Sequence, residues 1–285
     1  MKPCFVVFTD LSAFARQLAS YAAGVGAPLG VRLHLLHFYH TPSVDPELVT
    51  TTGFHRSQAE TGRMLRKMAQ SLPAEATVTV STEPVDQALA QAARYCYPIL
   101  LVLGLSDEQA LLDHLLRNQL LSALRATHRP LLLVPPGAAW QPAPRRVAVA
   151  IDGEEFTLNA AAHRLVPLLR AWSASWTAVH VETPDEHQAF RGQRALGTLR
   201  ESGLLDKQTA LALYESQEVL PTAGILQALH DTRADLLVLI VRPRSFLSRL
   251  FHHSVTARVL RNCPVPVLLL PAEDPDRPGW MPTMS

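Results

Sequence analysis

The chain has 285 residues, enough for two domains of ordinary size, and 48% of them are hydrophobic, which favours packed cores over disorder. Lysine and arginine number 26 against 25 aspartate and glutamate residues, so the chain lacks the basic surface that nucleic-acid binding requires. No run is long and apolar enough to span a bilayer, and the N-terminus lacks the apolar core and cleavage site of a secretory signal, so we expect a cytoplasmic protein that does not enter a membrane.

The first half alternates apolar runs with helical segments. Five runs are predicted to be strands: 3–8, 31–38, 76–81, 99–103 and 130–134. Four segments between them have helical composition: 12–23, 46–71, 84–95 and 109–127. Alternation at this spacing is typical of βαβ units, which form a parallel sheet through right-handed crossovers.

The second half repeats this order. Its predicted strands are 146–151, 176–181, 209–214, 235–240 and 265–270, with helices between them. A short proline-rich linker, residues 138–144, separates the halves. The segment that begins at Pro271 holds four prolines and has no periodicity, so residues 272–285 are predicted to be a loosely ordered tail.

The two halves also match in detail, at an offset of about 136 to 143 residues. FVVFTDLSAFA, with Asp10, returns as VAVAIDGEEFT, with Asp152. LLHFY around His37 returns as AVHVE around His180, ILLVLGL returns as LLVLIV, and HRPLLLVP returns as VPVLLLP. Four landmarks in one order indicate a duplication, so we predict two similar domains over 1–137 and 145–271.

Three cysteines, Cys4, Cys96 and Cys263, lie far apart in apolar contexts. Their odd number and spacing favour buried, reduced thiols over a disulfide framework.

Each half resembles the universal stress protein family. An aspartate ends the first strand, the second strand closes on LLH, and a long helix follows the fourth strand before an apolar strand with an internal proline. The segment SFLSRLFHHSVTARVLRNCPVPVLLLP carries the resemblance most specifically. It implies an open five-stranded parallel sheet with helices on both faces, like that of the adenine nucleotide α-hydrolases. It also implies that the two tandem domains pack about a pseudo-twofold axis.

The family's ATP-binding branch uses G-x-x-G, nine residues, then G-[ST], whose glycines let backbone amides approach the phosphates. In the second half these positions hold Ile240, Pro243 and His253, and only the final hydroxyl, Ser254, remains. Proline has no amide hydrogen to donate, and the other two side chains occupy space that phosphate oxygens need.

In the first half Gly104 is kept, but Asp107, Arg117 and Asn118 follow at the remaining positions. A carboxylate beside a phosphate is repulsive. Both halves are therefore predicted to have lost the ATP-binding pattern.

Asp10 and Asp152 follow the first strand of each half. We interpret them as N-caps of the next helix, with ligand contact as the alternative. His37 and His180 end the second strands and are interpreted as hydrogen-bonded core or rim residues. The adjacent pair His252-His253 does not have chelating spacing.

Arg242, Arg244 and Arg249 surround the degenerate loop of the second half. Such a run is usually a solvated helix start, but arginines can hold a phosphate or carboxylate bidentately without backbone amides. No nucleophile, zinc or phosphate-loop motif is visible, so we predict no catalytic residue and no metal site.

The sequence thus predicts a non-enzymatic, tandem universal stress protein-like chain that needs no cofactor. The resemblance implies a role in the stress response through protein partners, with a homodimer as a further possibility. The domains are predicted to pair through their last strands, which Pro130 and Pro266 begin at the sheet edge.

The alternative is a switch that binds ATP or another adenine nucleotide in the second crevice, through Asp152, Arg242, Arg244 and Ser254. A third hypothesis is a carrier of an anion or small metabolite in the same crevice. Candidate ligand contacts in either half are the residues Asp10, Gly104, Asp152, Arg242, Arg244 and Ser254.

Overall fold

The computed structural model describes residues 2–39, 57–105, 128–138, 141, 143–182, 191–241 and 255–273. The strands of the first half are β1 (Cys4–Phe8), β2 (Arg32–Phe38), β3 (Ala76–Ser81), β4 (Pro98–Gly104) and β5 (Leu131–Val134). Its helices are α1 (Ala13–Gly26), α2 (Gln58–Gln70) and α3 (Val85–Tyr95). The predicted strands are confirmed to within a residue or two, and the predicted helix at 109–127 lies outside the described residues.

The second half has strands β6 (Arg146–Ala150), β7 (Thr157–Leu158), β8 (Ser175–Glu182), β9 (Leu211–Gln217), β10 (Leu236–Val241) and β11 (Val267–Glu273). Its helices are α4 (Ala160–His163), α5 (Val166–Ala171), α6 (Arg191–Glu201), α7 (Pro221–Thr232) and α8 (Val255–Asn262). Strand β11 runs two residues past the predicted start of the tail and pairs there with β7.

The first crossover of the second half differs from its counterpart. Where the first half has the continuous helix α1, the second half has strand β7 and two short helices. Asn159 caps α4 by accepting from the amide of Ala162, and Pro167 lies in the first turn of α5. A cap and a proline so close together restart the helix, which explains why one continuous helix does not form.

All these strands except β7 lie in one continuous sheet in the order β3-β2-β1-β4-β5-β11-β10-β6-β8-β9. Within each half neighbouring strands are parallel, and the halves meet where β5 and β11 pair antiparallel. The fold class predicted from the sequence is confirmed: two α/β units, each with its own five-stranded parallel order, are joined through their last strands.

The register at this seam follows the duplication. Leu132 pairs with Leu268, its own counterpart in the repeat, and Leu131 pairs with Leu269 while Leu133 pairs with Val267. This reciprocal pattern is the one that a two-fold axis through the central pair produces.

The prediction that the last strands begin with proline at a sheet edge is wrong. Both strands begin one residue later and lie in the middle of the sheet. Pro130 and Pro266 still serve the sheet, because their carbonyl oxygens accept from the amides of Leu101 and Leu237 at 3.0 Å. Placed just before the strand, neither proline has to supply a ladder donor.

Two hydrophobic clusters cover the two faces of the sheet, and each contains residues of both halves. Side chains also tie the halves together: the indole Nε1 of Trp172 donates to the Val25 carbonyl at 3.1 Å, and Asn159 donates to the His128 carbonyl at 2.8 Å. The shared clusters and cross-half hydrogen bonds predict that the halves unfold together.

The three cysteines are buried and unpaired, as predicted. Among the described residues, no helix combines the length and apolar character needed to cross a bilayer.

Candidate functional site

The strand order reverses once in each half, which creates a crevice at the carboxyl ends of the strands. In the first half β1 lies between β2 and β4, and in the second half β6 lies between β8 and β10. Open parallel sheets bind ligands at such points. Asp10 and Gly104 lie at the first crevice, and Asp152 and Ile240 lie at the second.

Neither aspartate is the helix N-cap that the sequence suggested. In the first half Ser12 caps α1, its hydroxyl accepting from the amide of Ala15 at 3.0 Å. Asp10 instead accepts from the amide of Ser12 at 2.9 Å, and Asp152 accepts from the amide of Glu154 at 3.1 Å. Each carboxylate therefore closes a local turn by bonding the amide two residues ahead, and both aspartates are exposed.

The residue after each aspartate has left-handed backbone. Leu11 has φ of 67° and Gly153 has φ of 83°. This conformation suits glycine but is strained for leucine. The turn therefore has the same shape in both halves, although only the second half has the residue type that forms it without strain.

The two histidines support these turns from the neighbouring strand. The Nδ1 of His37 lies 2.7 Å from the carbonyl oxygen of Thr9, and the Nδ1 of His180 lies 3.1 Å from that of Ile151. Because a carbonyl only accepts, each Nδ1 carries the proton and donates. The prediction of hydrogen-bonded core or rim histidines is confirmed, and their role is to fix the backbone just before the aspartate.

Gly104, the retained glycine of the first half, serves packing. A Cβ added there would lie within 3.2 Å of three ring carbons of Phe14. The aromatic ring of α1 thus occupies the space that a side chain at position 104 would fill. Phe14 is not predictable as a site residue from the sequence, because it lies four residues after Asp10 with nothing in its local pattern to mark it.

In the second half the corresponding pair is Ile240 and Phe156. Phe156 is buried, and Ile240 is half-buried and packs against the cluster that contains it. The other candidate residues of this loop, Arg242, Arg244 and Ser254, lie outside the described residues, as do Pro243, Arg249, His252 and His253 and the first-half positions Asp107, Arg117 and Asn118.

The described part of the chain holds no group of three or more histidine, cysteine or acidic side chains that could bind a metal. Among the described residues, both crevices have an exposed aspartate on a turn beside a strand end packed by a hydrophobic side chain, and Glu154 and Glu155 next to Asp152 are exposed as well. This arrangement can accept a hydrogen bond from a ligand.

Comparison with known proteins gives the relatives of this fold. Residues 144–271 match the model of the universal stress protein family. A universal stress protein from Archaeoglobus fulgidus DSM 4304 is similar over 96% of this chain and 97% of its own, with a TM-score of 0.62 and 16% identity. A functionally unknown protein from Pseudomonas aeruginosa PAO1 covers 95% and 93%, with a TM-score of 0.58 and 17% identity.

The cytoplasmic domain of a prokaryotic cation chloride cotransporter is also similar, over 95% of both chains, with a TM-score of 0.52 and 12% identity. A search among curated proteins found no match. At these identities the structural matches establish the fold, and they extend it over both halves of the chain.

Proposed function

We propose that the chain is a tandem universal stress protein that acts in the stress response by binding partner proteins, and the match of residues 144–271 to the model of that family supports this. In this proposal it works in the cytoplasm, catalyses no reaction and needs no nucleotide. Its domains are 1–137 and 145–271, joined by the linker 138–144 and followed by the tail 272–285.

The observation that carries this proposal is the Phe14 ring against Gly104. A triphosphate binds such a crevice when backbone amides at the strand end donate to it, each charge-assisted hydrogen bond contributing about 1.5–3 kcal/mol. An aromatic ring in that space prevents the approach. Ile240 places a branched side chain at the same point of the second half, which supports the same conclusion there.

The seam between β5 and β11 supports an intramolecular pair. Fusion of two such domains raises their effective concentration to roughly the millimolar range, so that pairing does not depend on how much protein the cell makes. The carboxylates of Asp10 and Asp152 are then parts of the scaffold, and other surfaces recognise the partner proteins. A homodimer of the tandem chain is compatible with this proposal.

Thermal unfolding with and without millimolar Mg-ATP tests the proposal. Because a ligand that binds only the folded state raises the melting temperature, we expect no shift for the natural chain. Phe14→Ala, which opens the first crevice, serves as a positive control: a shift that appears only in this variant supports the role assigned to the ring.

The alternative function, an adenine-nucleotide switch in the second crevice, makes the opposite prediction. It requires a rise of several degrees with Mg-ATP that disappears in Arg244→Ala and Ser254→Ala and persists in Phe14→Ala. That result would replace the proposed function with the switch.

A further inference from the structure

A cavity of about 420 Å³ lies on one face of the first half, between strands β2 and β3 and helix α3. Its charged and polar lining residues are Arg32, His34, Glu75, Thr77, Thr79, Gln91 and Tyr95. The cavity is separate from the crevice of Asp10, because Arg32 and Cys4 are the first residues of β2 and β1 and so lie at the amino ends of the strands. Its volume is within the range of small-molecule sites.

Two lining residues have a buried nitrogen without a partner. His34 is 3% exposed, and its Nε2, at the tip of the ring, makes no hydrogen bond among the described residues. The Nε of Arg32 is buried and equally without a hydrogen bond in that part of the chain. Buried polar atoms are nearly always paired, so these two nitrogens are unsatisfied polar atoms in the lining residues; Nε2 of His180 in the second half is likewise without a partner among the described residues.

His34 makes a hydrogen bond through one of its two ring nitrogens. Its Nδ1 lies 2.8 Å from Oγ1 of Thr77, and that hydroxyl lies 3.5 Å from the carbonyl oxygen of Leu33. In the neutral imidazole, Nδ1 is thus already hydrogen-bonded to Thr77, and Nε2 is the ring nitrogen that still lacks a partner among the described residues. Burial lowers the pKa of His34, which favours this neutral ring.

Charges at the cavity favour an anion. The guanidinium of Arg32 lies 3.8 Å from the carboxylate of Glu75, which also lies 3.9 Å from Lys2. Two cations against one carboxylate leave a net positive charge. Because the Glu75 side chain is 59% exposed, its pairing with Arg32 is weak, and the arginine remains available to a second carboxylate.

In the second half, side chains fill the space that corresponds to this cavity. Strand registers pair Leu36 with Thr79 in the first half and Val179 with Tyr214 in the second. Because Leu36 and Val179 are counterparts in the repeat, Thr79 and Tyr214 also correspond. The Tyr214 hydroxyl donates to Asp231 at 2.7 Å. The aromatic side chain and its carboxylate partner thus span the groove between β9 and α7, which is the counterpart in the second half of the cavity between β3 and α3.

The helix positions that face this groove correspond as well. Gln227 donates to Asp231 at 2.8 Å in the second half, and the matching residues of α3 are Gln91 and Tyr95, both in the cavity lining. In the first half the large side chain is on the helix and not on the strand: Tyr95 of α3 is 68% exposed at the mouth of the cavity. The groove is therefore open in one copy and closed in the other.

We propose that this cavity binds a small carboxylate. The carboxylate pairs with the guanidinium of Arg32, whose planar donors suit it. The threonine hydroxyls line the remaining wall, and Tyr95 offers a ring face to the ligand's side chain at the entrance.

Ligand-observed NMR by saturation transfer on the full chain tests this proposal. The probes are DL-lactate and DL-mandelate, with lactamide and mandelamide as partners that have the same shape without the charge. We expect the carboxylates to bind and the amides to show at least tenfold weaker affinity, as expected when a charge-assisted pair is lost.

Two variants locate the site. Arg32→Gln removes the anchor, and Thr79→Tyr introduces the side chain with which the second half closes the groove. Both are expected to weaken binding at least tenfold. Arg200→Gln, which removes an exposed arginine of the second half, is expected to bind like the natural chain. Circular dichroism confirms that each variant is folded.

The binding measurement on the natural chain tests the proposal even if a variant does not fold. The proposal is overturned if neither carboxylate binds up to about 10 mM, a limit that includes very weak sites. It is also overturned if the amides bind as well as the acids, if Thr79→Tyr binds unchanged, or if Arg200→Gln loses binding like Arg32→Gln. Since Mg-ATP and the crevices play no part in this test, its outcome is independent of the proposed function.

Discussion

The pairing of Leu132 with its own counterpart Leu268 predicts that the two residues are energetically coupled. Both are almost fully buried, at 2% and 1% exposure, and both line a cavity of only about 10 Å³ between the halves. For two residues in contact, the changes in unfolding free energy caused by single substitutions do not simply add, whereas for distant residues they do. Substitution of both by alanine therefore tests whether the seam is a packed core.

Each single substitution removes three carbons from a tight core. At about 0.8 kcal/mol for each buried carbon group, the transfer contribution is about 2.4 kcal/mol, and the cavity that remains adds roughly 1 kcal/mol or more. We expect Leu132→Ala and Leu268→Ala each to lower the free energy of unfolding by about 3–4 kcal/mol. The double variant should deviate from the sum by about 1 kcal/mol, because both side chains vacate the same space.

Urea unfolding followed by circular dichroism and tryptophan fluorescence measures these values. Leu65→Ala combined with Leu268→Ala is the matched control, since Leu65 is fully buried on α2, four strands from the seam, or roughly 19 Å at the usual spacing. This pair should be additive. If the seam pair is additive within about 0.3 kcal/mol, or if two separate transitions appear, the continuous core is refuted.

Three further predictions concern single positions. Gly104→Ala should lower the free energy of unfolding by about 1–3 kcal/mol through overlap with the Phe14 ring, and Phe14→Leu in the same chain should recover part of this loss in urea unfolding. Gly153→Ala should destabilise the chain by about 1 kcal/mol at its left-handed φ, whereas Leu11→Gly should stay within about 0.5 kcal/mol because relief of strain offsets lost packing. A lowered pKa means that the unfolded chain protonates His34 first, so stability should fall as the pH drops below about 6.5, with a slope of up to about 1.4 kcal/mol per pH unit. In His34→Gln this slope should decrease, while replacement of an exposed histidine should leave it unchanged.

Much of the fold could be predicted from the sequence because duplication and apolar runs act together. A strand covered on both faces has a continuous apolar run, as in Leu131–Val134 and Val267–Glu273. Their repetition at one offset indicated the two units, and their apolar character indicated the seam. These patterns are local in the chain, so no knowledge of distant contacts was needed.

The details of the site could not be predicted in the same way. The capping of α1 depends on whether the helix starts after Asp10 or after Ser12, a difference of two residues that composition does not resolve. The position of the Phe14 ring depends on the packing of a helix over a strand end nearly a hundred residues away in the chain. The cavity beside His34 has no sequence motif, because it arises from side chains that are small on one strand.

Comparison of the two halves separates what the scaffold requires from what one copy alone can use. The aspartate turn and the histidine bond to the preceding carbonyl occur in both halves, although bulky side chains cover both strand ends. Their presence in both copies is explained by the turn itself, without a ligand.

The positions that differ between the copies are a better guide to function. Where the second half has Ser175 and Tyr214, the first half has Arg32 and Thr79. These changes replace a closed, internally bonded groove by an open one with an unpaired guanidinium nitrogen and an unpaired imidazole nitrogen. A buried unpaired nitrogen lowers stability unless it gains a partner, so the open groove is costly as a purely structural element. Ligand binding would offset that cost, and it would place the specific chemistry of this chain at the amino ends of the strands, away from both crevices.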